Sequence, residues 1–208
     1  MMQPRFTELG AALLWLARQA IGAALGLADG AATVPHPPWV APAVQSALDA
    51  PGATFVTLTQ RGALRGCIGT LYPWRPLCQD VQANAVAAAL RDSRFDPLRP
   101  DELSRTRIEV SLLSAAEPLP AHSLAQAVQL LRPGIDGVIF RWHERRSTFL
   151  PQVWEQLPEP QAFLRQLVAK AGLPVDFWDD AVRLERYTVT KWREPEGAAP
   201  GEMAHERR

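Results

Sequence analysis

The chain has 208 residues, 47% of them hydrophobic and 21% charged, with 22 lysines and arginines against 22 aspartates and glutamates. Such an apolar share excludes a disordered chain and predicts a packed core, in one domain or in two lobes. The balanced charge excludes a global field for nucleic acid, so any such binding needs a local basic face. The only cysteines, Cys67 and Cys78, exclude a disulfide framework and a four-thiolate zinc site, and favour the cytosol.

Leu9, Leu13, Leu16, Ala20 and Ala24 recur at helical spacing behind Thr7 as cap, predicting an amphipathic helix that stops by Asp29 and Gly30. Glu8, Arg18 and Gln19 interrupt its apolar run, so it is neither a span of about 20 apolar residues nor a signal peptide. Residues 34–44, "VPHPPWVAPAV", hold four prolines and predict an extended linker anchored by Trp39. Two β-branched runs around "QRG" in residues 53–70 predict a hairpin. Leu77, Val81, Ala85 and Ala88 then predict a helix whose alanines allow close packing on a sheet.

"RIEVSLLSA" predicts a strand with Ile108, Val110 and Leu112 on one face and Glu109, Ser111 and Leu113 on the other. Ser123 caps a short helix, and "DGVIFRWHERRSTFLPQVW" predicts a second hairpin turning at "HERR". A helix inside residues 158–174 is stopped by Gly172 and Pro174, "AVRLERYTVTKW" predicts one final strand, and residues 193–208 predict a disordered tail. Strands and helices mix without a repeating βαβ rhythm, so the class is α+β.

The chemistry concentrates in "LRGCIGT", residues 64–70. Strict alternation puts Leu64, Gly66 and Ile68 on one face, with the two large residues in the core, and Arg65, Cys67 and Gly69 on the other. Arg65 and Cys67 then stand side by side, where the cation favours a thiolate. The ordinary alternative is a small buried cysteine, with glycines that let a neighbour approach the backbone. "RDSRFDPL" is the second dense spot: Asp92 and Arg94 either form ion pairs at a helix end or face a cleft toward Cys67.

His36, His122, His143 and His205 have no ligand-spaced partners, and no metal is expected; His36 or His143 is a conceivable imidazole partner for Cys67. Phosphate-loop, nucleophile-elbow and dinucleotide patterns are absent, so no cofactor is indicated. Arg141, Arg145 and Arg146 beside Trp142 form the best local candidate for a nucleic-acid surface, with a solvated turn as the plain alternative.

In order and spacing, "LRGCIGT", "AVAAALRDSRFDPL", "EVSLLS", "FLPQVW" and "FLRQLVAKAGLP" resemble the AMMECR domain family, whose bacterial branch is called AmmeMemoRadiSam system protein A. The resemblance runs from about Thr54 to Trp192 and takes in the first helix. It implies one domain over residues 1–192 with two unequal lobes of mostly antiparallel sheet packed with helices, and a cleft near the glycine-rich motif. Its motif positions are Arg65, Gly66, Cys67, Ile68 and Gly69, then Asp92, Arg94 and Phe95, then Glu109 and Ser111, then Leu150, Pro151 and Gln152.

The resemblance also implies partnership with a Memo-type protein and a radical S-adenosylmethionine protein. This chain lacks the cysteine cluster for that enzyme's iron–sulfur centre, so such chemistry belongs to the partner. Two expectations follow. In the first, an enzyme-like component of a modification system, one of RNA included, uses Cys67 as the candidate catalytic thiol and Arg65, Gly66, Gly69, Asp92 and Arg94 as substrate contacts. In the second, the same residues shape a cleft in a non-catalytic adaptor for protein or RNA.

Overall fold

A computed structural model describes residues 8–27 and 40–195. The helices are α1 (Leu9–Ala24), α2 (Pro42–Asp49), α3 (Leu77–Leu90), α4 (Leu124–Leu130) and α5 (Pro160–Lys170). The strands are β1 (Thr54–Gln60), β2 (Ala63–Gly69), β3 (Arg107–Leu113), β4 (Glu117–Leu119), β5 (Gly137–Trp142), β6 (Arg145–Phe149), β7 (Arg183–Tyr187) and β8 (Val189–Arg193). They form two four-stranded sheets, ordered β2-β1-β3-β8 and β4-β7-β5-β6, which with the helices make the fold α+β. The chain divides into two units, Met1–Leu112 with Lys191–Arg208, and Leu113–Thr190.

In the first unit, Leu13, Leu16, Ala17 and Ile21 of α1 and Val81, Ala85 and Ala88 of α3 pack in one core with Val56 and Leu58 of β1 and Ile108 and Val110 of β3. The cross-strand pairs Val56–Val110 and Leu58–Ile108 put those strand residues on a single face, as period-2 alternation requires. On the opposite face Glu109 and Ser111 are buried too. Arg18 of α1 ties the sheet's far end: its guanidinium donates to the Glu194 carboxylate at 2.5 and 2.6 Å and to the Thr106 carbonyl at 2.8 Å.

Several sequence expectations shift here. α1 ends at Ala24, short of Asp29, because Gly26 takes a left-handed turn at φ 72°. Thr7 and Trp39 lie outside the described residues, as does most of the proline-rich stretch. That stretch is not all linker, since Pro42 opens α2. Proline's fixed φ and missing N–H suit a first helical turn, where the amide would lack a partner anyway. The disordered tail was expected from residue 193, but β8 runs through Arg193, and Glu194 is held by Arg18. Residues 196–208 lie outside the described residues.

The second unit packs α4 and α5 on one face of its sheet, with Val138 and Phe140 of β5, Leu184 of β7 and Phe163, Leu164 and Leu167 of α5 in its core. Trp154 stacks on Phe163 at 3.8 Å and donates its indole N–H to the Asp136 carbonyl at 2.7 Å. The Ser123 hydroxyl accepts the Gln126 amide at 3.1 Å, the cap that the sequence predicts. The single final strand expected over "AVRLERYTVTKW" is two strands broken at Thr188, one in each sheet. Continuous alternation cannot reveal that break, because both pieces keep the same period. Among the described residues no helix is long and apolar enough to cross a membrane.

Candidate functional site

The site begins with a register fault. Arg61 and Gly62 form the two-residue hairpin turn with positive φ at both positions, 51° and 81°, the geometry that matches strand twist. Counting back from that turn without interruption would set Cys67 opposite Val56, on the helix-covered face. Instead the register shifts between Leu58 and Thr59: Thr59 pairs with Leu64 but Leu58 pairs with Gly66, leaving Arg65 as the extra residue of a β-bulge. Every later side chain of β2 is thereby moved to the other face. Cys67 now stands opposite Thr57 on the face away from Val56 and Leu58, while Gly66 and Ile68 turn toward the core.

Two expectations fall with strict alternation. Leu64 is not core but 44% exposed, because it precedes the bulge and shares with Thr59 the face away from Val56 and Leu58. Nor does the Arg65 guanidinium stand beside Cys67. It donates to the Glu102 carboxylate at 3.1 and 3.3 Å and to the carbonyls of Asp96 and Pro97 at 2.7 and 3.4 Å. Glu102 also accepts from the Arg99 amide at 2.9 Å and from Gln60 at 3.2 Å. These donors, Arg65 first, pull its carboxyl down from 4.5 to about 2.

The cation beside the thiol is Arg94. β2 is an edge strand, and the outward N–H of Cys67 donates to Asp92 Oδ2 at 2.8 Å while its carbonyl accepts from Arg94 Nη2 at 3.1 Å. Asp92 grips Arg94 in turn, through Nε at 2.9 Å and Nη2 at 2.7 Å. The loop after α3 thus supplies with two side chains the donor and acceptor that a neighbouring strand would have supplied. Hydrogen bonds from Arg94, then from the Cys67 and Arg94 amides, hold the buried Asp92 carboxyl well below the usual carboxylate range. The Arg94 side chain is 55% exposed, and the Cys67 side chain is among the groups that act on its guanidinium.

Because the outward groups of Cys67 serve this clamp, Cys67 and Thr57 form the close, non-hydrogen-bonded type of cross-strand pair. Cys67 Sγ lies 3.4 Å from Thr57 Oγ1 and remains half-buried. Glu109, opposite Thr57 on β3, continues the row, and its carboxylate is ion-paired with Arg193 of β8. A thiol, a hydroxyl and a carboxylate therefore share one face in register. Cys78, by contrast, is buried in α3, and that burial pushes its thiol pKa up.

The glycines are explained by their own neighbours. A Cβ on Gly66 would lie 2.1 Å from the Ala88 carbonyl oxygen, so α3 presses directly on the backbone there, and one on Gly69 would strike the Phe55 ring at 2.2 Å. A second polar knot, unread in the sequence, fastens the other end of α3. Asp80, fully buried, accepts from the Thr54 amide and hydroxyl at 2.8 and 2.7 Å, the Thr70 hydroxyl at 2.8 Å, Asn84 at 2.9 Å and Arg75 Nε at 2.9 Å. Thr57, Glu102 and Asp80 were all missed; of the three, only Thr57 had a local signal, the hairpin register, and the bulge disguised it.

Alongside the Arg94 edge lies an open hollow of about 580 Å³, lined among others by Arg65, Arg94, Phe95, Asp96, Arg99 and Glu102. Among the described residues no three His, Cys, Asp or Glu side chains gather as a metal-binding group. His36 and His205 lie outside the described residues. His143 sits in the β5–β6 turn of the second unit, with its ring edge-on to Trp142 at 4.7 Å.

An α+β chain in which a bulged hairpin presents "RGCIG" against a helix-end "DSRF" has counterparts. The AMMECR1 family model matches residues 14–192, and the chain belongs to that family. A protein of Methanothermobacter thermautotrophicus is 40% identical over 142 residues, covering 67% of this chain and 74% of its own length. One from Thermotoga maritima is 40% identical over 141 residues, covering 67% and 76%. The crystal structure of the uncharacterized protein PH0010 from Pyrococcus horikoshii superposes with a TM-score of 0.78 at 29% identity, over 90% of this chain and 92% of that one.

Proposed function

We propose that this protein is an enzyme-like component of a modification system working with a Memo-type and a radical S-adenosylmethionine protein, and that Cys67 is its reactive group. The observation that carries the reading is the bulge, which turns a half-buried thiol out of the core to within 3.4 Å of the Thr57 hydroxyl. Membership of the family supports the partnership. Cys67 is the nucleophile, and the Thr57 hydroxyl can donate to its sulfur. Arg94 offers its exposed guanidinium to an anionic group of the substrate, and Asp92 holds both Arg94 and the Cys67 backbone in place. Arg65 lines the adjoining hollow, while Gly66 and Gly69 set the shape of the strand.

Alkylation on a Cys78→Ala background tests this, comparing neutral iodoacetamide with anionic iodoacetate. Cys67 should react in the folded protein, with a preference for iodoacetate that Arg94→Gln removes. Labelling only after unfolding would refute the reactive thiol. A second reading, a non-catalytic adaptor for protein or RNA, draws on the fact that Arg65, Asp92 and both glycines are engaged by their own chain. It predicts that Cys67→Ser keeps partner binding while a pull-down with the Memo-type protein is lost on Arg94→Glu.

A further inference from the structure

The loop after α3 is pinned from beneath and bare above. Asp92, Leu98 and Glu102 are buried, whereas Ser93, Arg94, Asp96 and Arg99 are exposed. The Phe95 amide donates to the Asp92 carbonyl at 3.0 Å, the Leu98 amide donates to the Ala89 carbonyl at 2.8 Å, and Arg65 reaches across from β2 to the carbonyls of Asp96 and Pro97. A surface held in this way presents its exposed side chains already placed, so little ordering is lost when a ligand arrives. Those side chains line the hollow of about 580 Å³, a volume within the range of small-molecule sites.

The charges around the hollow argue against a simple anion site. Three arginines, Arg65, Arg94 and Arg99, stand against four carboxylates: Glu102, Asp92 and Asp101, which pair with them in that order, and Asp96. Without a positive excess, a phosphate gains little from the local field. What the rim offers instead is both signs close together. The Arg99–Asp101 pair, at 3.3 Å, is exposed on both sides, so exchanging it for the carboxylate of a ligand costs little. The Asp96 side chain is exposed too, and the hydrogen bond from Arg65 uses that residue's carbonyl rather than its carboxylate. Phe95, with the Arg94 guanidinium 5.5 Å from its ring centroid, adds apolar surface to the same hollow.

We propose that the hollow binds an amino-acid zwitterion, with its carboxylate on Arg94 and Arg99, its ammonium on Asp96 and its side chain against Phe95. The proposal rests on the reading above for the role of Arg94, whose anionic group it names, but it does not need Cys67 to react. A free amino acid and a short peptide carry the same two charges, set farther apart in the peptide.

Saturation-transfer NMR on the full chain tests this with a mixture of the natural amino acids, the same mixture N-acetylated or converted to carboxamides, and trialanine. Blocking either charge should weaken binding about tenfold, the worth of one charged hydrogen bond. Asp96→Asn and Arg99→Gln should each weaken binding of the unblocked amino acids by a similar factor, and Asp96→Asn should cost the N-acetylated forms nothing further. Both substitutions replace exposed side chains, so the variants should melt with the parent. Tighter binding of trialanine than of alanine would assign the site to a peptide, and the reverse to a free amino acid. No signal from the parent chain with any probe, equal binding of the blocked forms, tighter binding of inorganic phosphate, or indifference to both substitutions would overturn the proposal. Cys67→Ser should bind as the parent does. Binding without alkylation of Cys67 would therefore sink only the thiol reading, and alkylation without binding only this one.

Discussion

Two aspartates bracket α3, and each fastens one end of that helix to the same hairpin. Asp80, in the first turn, is sealed: its carboxylate is spent on Thr54, Thr70, Asn84 and Arg75. Asp92, just past the last turn, is also buried, but its partner Arg94 is more than half exposed. One clamp therefore has only the fold to serve. The other positions a backbone and also presents a cation. The lesson is that a buried carboxylate reveals less about function than the exposure of what it holds.

Removing the sealed clamp should have the largest effect. Asp80→Ala strands the Thr54 amide and the Arg75 guanidinium, and should cost about 3–5 kcal/mol in urea unfolding; a loss under about 1 kcal/mol would break the contrast. Acid should come next. Glu102 and Asp92 both have folded pKa values below their unfolded ones, so their stabilisation is complete above the ordinary carboxylate range and is lost as pH falls through the folded values. For Glu102, moving from 4.5 to about 2, that sets a ceiling of roughly 3 kcal/mol. Denaturation midpoints between pH 6 and 2 should decline, and Glu102→Gln should flatten the part of the decline between 4.5 and 2.

Gly66→Ala drives a methyl group into the Ala88 carbonyl and should cost about 1–3 kcal/mol. A neutral outcome would mean that α3 can retreat from β2 without loss. Arg94→Gln should be the mildest, under about 1 kcal/mol for so exposed a side chain. Yet it should remove the anion preference in Cys67 alkylation. Equal stability losses from Asp80→Ala and Arg94→Gln would erase the distinction between the two clamps.

What the sequence discloses is whatever is local and periodic. The hairpin at "QRG", the α3 stripe, the Ser123 cap and the Gly172 stop can be read because each rests on neighbours within a few residues. The candidate site depended on one inserted residue. Alternation carried through Arg65 groups Leu64 with Ile68 and Arg65 with Cys67, and both groupings are undone by the bulge. The choice of Arg94 rather than Arg65 as the thiol's cation was equally hidden. Arg65 is drawn off by Glu102, 37 residues away, and a pairing of that reach leaves no periodic trace. The start of α2 at Pro42 was concealed differently, by reading proline as a breaker where it served as an opener.

The order β2-β1-β3-β8 has a consequence for how the chain is made. Cys67, Thr57, Asp92 and Arg94 all belong to one unbroken stretch that leaves the ribosome before the second unit, and their contacts close over short loops. The strand that completes their sheet is β8, which emerges only after the whole of the second unit has been synthesised. During that interval the open side of β3 has no strand beside it, and Arg18 waits for Glu194. The nascent first unit thus carries a finished hairpin and an unfinished border, the condition in which edge-to-edge mispairing is most costly and in which a chaperone or a neighbouring chain has its opening.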